Sequence, residues 1–163
     1  MERLYILNPY DTNHISLLMN YEKDNKVSTK SLETLLKIRE TLTEEEYQEL
    51  KKSSNEIEMS LFIEESGKIK DLCLVQGEKD MRICKIYFSP TPEKIRTRKL
   101  LNLATDFALN TLGMESVFVV TDSNDKVMHY NLESSGYENL GLENNSVIFL
   151  KERELEINNQ KHQ

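Results

Sequence analysis

The order in which the hydrophobic periodicities follow one another constrains the fold of this chain most. From Ile57 the apolar period changes from about 3.6 residues to about 2, and two hairpins then follow in succession. They predict an antiparallel meander of three strands, Glu58–Ile63, Ile69–Gln76 and Arg82–Phe88. Because this meander comes before the only predicted crossover helix, a regular α/β winding is excluded.

Helices and further strands are predicted on both sides of the meander. Those before it are a strand Arg3–Leu7, a helix from Asp11 to about Glu22 with the apolar stripe Ile15, Leu18 and Met19, a helix opened by Ser31, and a helix begun by the capping box of Thr43 and Glu46. Those after it are a long helix ending near Leu112, a buried strand Val117–Thr121, a helix Lys126–Ser134 capped by Asp122–Asn124, and a hairpin of Tyr137–Leu140 with Val147–Leu150. The predicted fold class is α/β (α+β), with a mixed, mostly antiparallel sheet of about six or seven strands flanked by about four or five helices.

The length and charge of the chain limit its organisation and its partners. A chain of 163 residues fits one domain, which we assign to residues 1–150, followed by a polar tail at residues 151–163. The formal net charge of −7 disfavours bulk binding to nucleic acids or to anionic membranes. No apolar run approaches the ~18 residues that span a bilayer, and no export signal is recognised. We therefore expect a cytoplasmic protein with neither a nucleic-acid nor a membrane partner.

Cysteine and histidine placement indicates neither a disulfide nor a metal site. Cys73 and Cys84 fall on two strands joined by Gly77–Asp80, and a four-residue loop would set them directly opposite each other. In a reducing cytosol the two thiols are expected to be free packing residues. The three histidines are scattered along the chain, so no metal site is predicted. His129 could line a cleft, although a residue at the surface of its helix is the favoured interpretation.

The segment from about Ile57 to Lys151 carries a specific combination of motifs. They are the helix Leu100–Ala108, the strand Val117–Thr121, Asn124 and the corner Ser135-Gly136-Tyr137. In this order they resemble the helix after the pyrophosphate loop, the next strand, its cap and the Gly-aromatic corner of the GCN5-related N-acetyltransferase (GNAT) family. The resemblance implies a GNAT-like fold and a bacterial acetyltransferase.

The resemblance also implies where the chemistry takes place. GNAT proteins hold acetyl-CoA in a V-shaped split between two adjacent parallel strands, which here correspond to Arg82–Phe88 and Val117–Thr121. Backbone groups that lose their partners in the split pair with the pantetheine arm. A primary amine then attacks the thioester directly, and the backbone N–H near Phe88 would stabilise the oxyanion.

The implied partner is a small-molecule or peptide amine that accepts the acyl group from acetyl-CoA or a related acyl-CoA. Its site is expected between the N-terminal helices and the meander, and the acidic balance of the chain favours a cationic acceptor. A homodimer is compatible with the family, and no metal is implied.

The pyrophosphate loop departs from the family pattern Gln/Arg-x-x-Gly-x-Gly/Ala. Ile95 and Thr97 stand at the two glycine positions of the segment Pro92–Thr97. Cations instead crowd the start of the following helix, where an anion would relieve their repulsion with the helix dipole; they are Lys94, Arg96, Arg98 and Lys99. The cluster is interpreted either as a CoA phosphate site built from side chains or as a solvated basic face.

Two starting points for this helix remain open from the sequence. Thr91 can cap it with Pro92 in the first turn, in which case no phosphate loop exists, or Thr97 can cap it, which leaves a segment able to wrap a diphosphate. The residues predicted to bind the cofactor are Tyr87, Phe88, Ser89, Ile95, Arg96, Thr97, Arg98, Lys99 and Asn124.

The predicted catalytic groups also differ from the family. In many members a tyrosine four residues before the Gly-aromatic corner protonates the leaving thiolate, and this position is Leu132 here. Tyr130, two residues earlier, is a weak candidate for the acid, because a packing residue is the favoured interpretation. A thiol with a pKa near 8.5 can leave without much help. No general base is assigned, because the acidic residues of the meander are interpreted as solvent-facing charges; they include Glu58, Glu64 and Glu78.

Three functions are compatible with these residues. The first is an acyl-CoA-dependent N-acyltransferase. The second is a catalytically degenerate GNAT-fold module for binding or dimerisation, favoured by the missing glycines and the missing tyrosine. The third, a nucleic-acid binder that uses Arg96, Arg98 and Lys99, is disfavoured by the net charge of −7.

Overall fold

The computed structural model describes residues 3–89 and 94–154, with the backbone alone for residues 94–97. These ranges contain seven strands and five α-helices. They are β1 Leu4–Ile6, α1 Thr12–Asn25, α2 Lys30–Thr41, α3 Glu44–Ser53, β2 Glu56–Glu65, β3 Lys68–Glu78, β4 Ile83–Phe88, α4 Lys94–Asp106, β5 Ser116–Asp122, α5 Lys126–Ser134, β6 Glu138–Glu143 and β7 Ser146–Glu152. A π-helical turn, Phe107–Thr111, continues α4 toward β5. No helix in the described ranges is both long enough and apolar enough to cross a bilayer.

One sheet contains all seven strands in the order β1-β2-β3-β4-β5-β7-β6. Every neighbouring pair is antiparallel except β4 and β5, which are parallel. The predicted fold class is therefore confirmed, including the three-stranded meander and the mostly antiparallel sheet. The one parallel pair lies at the centre of the sheet, where α4 crosses from β4 to β5.

The two faces of the sheet pack against different helices. The larger core lies between the sheet and α4 and α5, and strand alternation sends Cys84 and Ile86 of β4 into it. The smaller core lies between α1, α2 and the strands β1 to β3. On that second face β4 presents Lys85 and Tyr87, and both are exposed. The open part of this face is therefore beside β4.

The helix starts follow the predicted caps in part. The carboxylate of Asp11 accepts from the first turn of α1, and the capping box of Thr43 and Glu46 is present in α3, as predicted. The cap predicted at Ser31 is wrong, because Thr29 caps α2. Ser31 lies inside α2, buried, with its hydroxyl 2.6 Å from that of Ser60.

The predicted stripe of α1 is also partly wrong. Leu17, Leu18 and Tyr21 are buried, whereas Met19 is 54% exposed. Each residue turns the helix by about 100°, so Met19 points well away from the buried face that Leu17 and Tyr21 define. The buried stripe is therefore centred on the side of Leu17, not on the ridge of Ile15 and Met19.

The predicted cap of α5 is one residue out. The cap is Asp125, whose side chain accepts from Met128 N–H. Asp122–Asn124 forms the turn that precedes it, with the Asp122 carboxylate accepting from Asn124 N–H at 2.8 Å.

The predicted pairing of the two cysteines is wrong. Cys73 lies opposite Phe88, and Cys84 lies opposite Gly77. The sequence places the hairpin turn at Gly77–Asp80, but β3 continues to Glu78 and the turn is centred two residues later. Both thiols are free and buried, and burial raises the pKa of Cys84 to about 12.

The last strand extends past the predicted domain boundary. β7 includes Lys151 and Glu152, and Lys151 Nζ donates to the Ser135 carbonyl at 2.7 Å. The residues from 155 onward, most of the predicted tail, lie outside the described ranges, so the division at residue 150 stays a prediction.

Candidate active site

The parallel strands β4 and β5 part within the sheet. Their register runs from Ile83–Ser116 to Ile86–Val119 and ends there, although β4 continues to Phe88 and β5 to Asp122. Beyond that point β4 stays paired with β3, up to Phe88. β5 stays paired with β7, up to Asp122. Each strand keeps its outer neighbour while the inner edges separate, which gives the V-shaped split that the resemblance implied.

The direction of the backbone groups of β4 identifies the first amide in the split. Arg82 C=O accepts from Ser116 N–H of β5 at 3.2 Å, whereas Ser89 N–H donates to Leu72 C=O of β3 at 3.0 Å. Since these directions alternate along a strand, Phe88 directs its N–H toward β5. The next ladder bond would join Phe88 N–H to Val120 C=O, and the pair Tyr87–Val120 that it would close is absent from the register. These two groups mark the apex of the split.

The β4 residues predicted to bind the cofactor lie around this apex but face different ways. The Phe88 side chain packs against the larger core while its N–H points into the split. Tyr87 is 38% exposed on the opposite face of the sheet. Ser89 N–H is bonded to β3 and so does not face the split.

The start of α4 lies directly after β4, beside the split. Because α4 already includes Lys94, Thr97 is inside the helix and the cap predicted there is wrong. The alternative cap at Thr91 lies outside the described residues, as do the side chains of Ile95, Arg96 and Thr97. Arg98 and Lys99 are exposed in the early turns of α4, at the positive end of the helix dipole.

The predicted acid and its neighbours lie on α5. Leu132, at the family's tyrosine position, is fully buried in the larger core. Tyr130 is 65% exposed, so it is not a core packing residue. Asn124 is exposed in the turn between β5 and α5. No contact in the described part of the chain joins Tyr130 to the apex of the split.

His129, for which the sequence left open a surface position or a position in the cleft, anchors α5 to the split. His129 Nε2 lies 2.8 Å from Thr121 Oγ1 and 3.0 Å from Asp122 C=O, both past the last β4–β5 pair. The Thr121 hydroxyl donates to Val147 C=O at 3.3 Å. Nε2 therefore carries the hydrogen and donates to both oxygens. The start of α5 is thus fixed to the free end of β5.

The Gly-aromatic corner joins α5 to α4. Tyr137 is buried and its hydroxyl lies 2.6 Å from that of Thr105, and burial raises the pKa of Tyr137 well above its usual value. Ser135 Oγ donates to the Asn102 side chain at 2.8 Å. These bonds account for Asn102 and Thr105, two polar residues of α4, and they set the spacing of the two helices behind the split.

A groove of about 380 Å³ lies on the open face of the sheet and reaches Tyr87. Its polar lining is Glu56, Glu58, Gln76, Glu78, Lys85 and Tyr87. Glu58 accepts from Gln76 at 2.7 Å and lies 3.9 Å from Lys30 Nζ of α2. Three carboxylates against one lysine make the lining acidic, and α2 bounds it on the side where the acceptor site is expected.

Comparisons with known proteins show the fold. No protein-family model and no curated protein sequence matches the chain. Among solved structures, the ribosomal-protein-S5-alanine acetyltransferase from Vibrio fischeri is 12% identical, with a TM-score of 0.68 over 93% of this chain and 92% of that one. The spermidine N-acetyltransferase from Vibrio cholerae is 15% identical, with a TM-score of 0.64 over 93% of both chains. The N-acetyltransferase PseH from Campylobacter jejuni, in complex with acetyl coenzyme A, is 11% identical, with a TM-score of 0.62 over 94% of this chain and 100% of that one.

These likenesses extend over nearly the whole length of each protein, so they include the N-terminal helices as well as the segment that carried the sequence resemblance. The seven-stranded sheet and the parting of its one parallel pair are the features that the family resemblance implied. The chain has the GNAT fold.

Proposed function

We propose that this protein is an acyl-CoA-dependent N-acyltransferase that transfers an acyl group, with acetyl-CoA as the expected donor, to a primary amine. The observation that carries the proposal is the missing ladder bond between Phe88 N–H and Val120 C=O at the apex of the β4–β5 split. Backbone groups that lose their partner in a ladder require another partner, and an amide-bearing arm supplies both a donor and an acceptor. The acetyl coenzyme A complex of PseH, which has the same fold, supports this choice of donor.

The residues present fit such a donor in two places. Phe88 N–H is positioned to donate to the carbonyl oxygen of a thioester as charge develops on it, in a site where the strand edge excludes competing backbone partners. Arg98 and Lys99 on α4 are suited to the phosphates of CoA, together with the positive end of the helix. Acetyl-CoA would supply the activated acyl group, and the chain itself forms no covalent intermediate.

The proton balance of the reaction requires two transfers. The amine nitrogen forms the new bond to the acyl carbon and loses a proton, and the C–S bond breaks to give a thiolate that gains one. We keep Tyr130 as the proposed donor to the thiolate, since its hydroxyl is exposed and available to solvent. The proton of the amine leaves through water, because no base is assigned.

A titration and an assay together test this function. CoA is expected to bind the protein in isothermal titration calorimetry, and acetyl-CoA with a panel of primary amines is expected to release free thiol. Arg98→Gln should weaken CoA binding by about tenfold, whereas Lys23→Gln, an exposed change at the end of α1, should leave it unchanged. Absence of CoA binding at millimolar concentration would contradict the proposal.

The second candidate is a catalytically degenerate GNAT-fold module for binding or dimerisation. Its specific support is Leu132, which fills the position of the family's tyrosine with a fully buried packing residue. CoA binding without release of thiol in the presence of any amine of the panel would favour this candidate.

The Vibrio cholerae spermidine enzyme is dodecameric, and for this chain we propose a homodimer.

We further propose that the acceptor is cationic and occupies the groove beside Tyr87. Glu58→Gln should raise the KM of a diamine by about fivefold and leave kcat unchanged, because one carboxylate of the acidic lining is lost without a change of shape. The comparison is the KM of a monoamine of the same length. A monoamine has no second charge to interact with Glu58, so its KM should not change.

The control for this variant is Glu64→Gln, a change on the same strand outside the groove. It should leave both KM values unchanged. An equal rise of KM for the diamine and the monoamine in Glu58→Gln would contradict a cationic acceptor site in this groove.

A further inference from the structure

A second cavity lies at the other end of β4 and β5 from the split. It has a volume of about 350 Å³ and lies among the β3–β4 turn, the loop that follows the π-helical turn, and the residue after β7. Its lining is Lys79, Arg82, Leu112, Gly113, Met114 and Arg153. Six residues of strand, about 20 Å, separate Arg82 from Phe88, so this cavity is distinct from the proposed acyl-CoA site.

Three cations meet at this cavity, two from the β3–β4 turn and one from the residue after β7. Lys79 Nζ donates to the Lys51 carbonyl at 2.7 Å, and Arg153 Nε donates to the Met114 carbonyl at 3.2 Å. Both partners are neutral. Arg82 Nη1 lies 3.4 Å from Glu115 Oε1, in the single ion pair that the three cations make among the described residues. Three positive charges thus face one negative charge.

Two carboxylates of the β3–β4 hairpin that are close in sequence to Lys79 and Arg82 are directed elsewhere. Glu78 lines the groove on the open face of the sheet. The Asp80 carboxylate accepts from Met81 N–H within the β3–β4 turn at 2.8 Å. In a chain with 28 acidic and 21 basic residues, a cavity with two uncompensated positive charges runs against the overall balance.

The backbone around the cavity fixes the positions of these cations. Arg82 C=O accepts from Glu115 N–H at 2.7 Å and from Ser116 N–H at 3.2 Å, and Arg82 has a left-handed φ of 54°. The Arg153 bond to Met114 C=O uses the Nε edge of its guanidinium, and within residues 3–89 and 94–154 no ion pair holds the two terminal NH₂ groups, which we assign to a ligand. Planar guanidinium groups bind the oxygens of phosphate through paired hydrogen bonds.

We propose that this cavity binds a dianionic phosphate, either the free ion or the phosphate end of a small ester. A dianion matches the two uncompensated positive charges, and the cavity is at the lower end of the range of about 300–1,000 Å³ found for small-molecule sites. Lys79 supplies a point charge, and Arg82 and Arg153 supply the paired donors. The site does not depend on the proposed acyl transfer.

The test is a titration of the whole chain, labelled with ¹⁵N, with inorganic phosphate and with glycerol 3-phosphate. The amide signals of Arg82, Gly113 and Met114 should shift and saturate in the millimolar range or below. The double variant Lys79→Gln, Arg153→Gln should raise the Kd at least about tenfold, since two charged hydrogen-bond donors are lost. Lys79→Gln alone should give a smaller rise, and it keeps the test valid if the double variant does not fold.

Two controls separate this site from the basic start of α4. Arg98→Gln should leave the shifts of Gly113 and Met114 unchanged, and glycerol should produce none. A lower Kd for glycerol 3-phosphate than for phosphate would assign the site to a phosphate ester. Equal Kd values for the two ligands would assign it to the free ion. Shifts that do not saturate, or that are confined to α4, would overturn the proposal.

Discussion

Replacing Phe88 by proline is expected to lower kcat/KM for acyl transfer by about 10²- to 10³-fold while the chain stays folded. Phe88 N–H is the first amide of β4 directed toward β5 beyond the last β4–β5 pair, Ile86–Val119. Proline removes this hydrogen and no bond of the sheet, because the N–H faces the split and not β3. Steady-state kinetics with acetyl-CoA and an amine measure the effect, and circular dichroism and thermal unfolding report on folding.

Phe88→Ala is the matched control, because it loses the same aromatic side chain from the larger core and keeps the N–H. The difference between the two variants therefore measures the amide hydrogen. Phe88→Ala should keep kcat/KM within about tenfold of the original, since a single oxyanion donor accounts for the larger part of the loss in Phe88→Pro. Equal losses in the two variants would remove the oxyanion role from this amide.

Local signals in the sequence predict much of the fold. The capping box of Thr43 and Glu46 and the cap at Asp11 depend on bonds within one helical turn, and both are present. The change of period at Ile57 depends on alternation within each strand, and the meander is present as predicted. The parting of β4 and β5 was expected from the family resemblance alone, because no local pattern distinguishes a paired strand edge from a free one.

The failures occur where a distant contact decides between two local options. Thr29 and Ser31 can each cap a helix, and the burial of Ser31 against Ser60 of β2 decides for Thr29. The anchor between His129 and Thr121 is missed for a similar reason, since it forms only after α5 has packed on β5.

The π-helical turn after α4 was also not predicted. Leu112 N–H donates to Phe107 C=O at 2.9 Å, five residues back, and Met114 N–H donates to Ala108 C=O. One extra residue in a turn leaves the apolar spacing of the helix nearly unchanged, so the period carries no sign of it. This turn positions Gly113 and Met114 at the second cavity.

Gly77→Ala is expected to produce the largest loss of stability among single methyl additions to the sheet. A Cβ atom at Gly77 would lie 2.6 Å from Ile83 O and 2.7 Å from Cys84 Cβ, and these atoms belong to the neighbouring strand, not to a flexible side-chain end. Strand β3 is paired on both sides at this point, with Ile57 and with Cys84, so neither neighbour can shift alone. The free energy of unfolding should fall by about 3 kcal/mol, which lowers Tm by about 6–12 °C.

Gly67→Ala is the comparison for this variant, because it adds the same methyl in the β2–β3 turn, where φ is +76° and no atom lies within 4 Å of the new Cβ. Only the left-handed backbone is penalised there, by about 1–2 kcal/mol. Thermal and denaturant unfolding of both variants measure the difference. The register expected from the sequence, with Cys73 opposite Cys84, would put Gly77 in the turn and make the two losses similar. A clearly larger loss for Gly77→Ala therefore supports the register of the structure, in which this glycine serves close strand approach, and equal losses would contradict it.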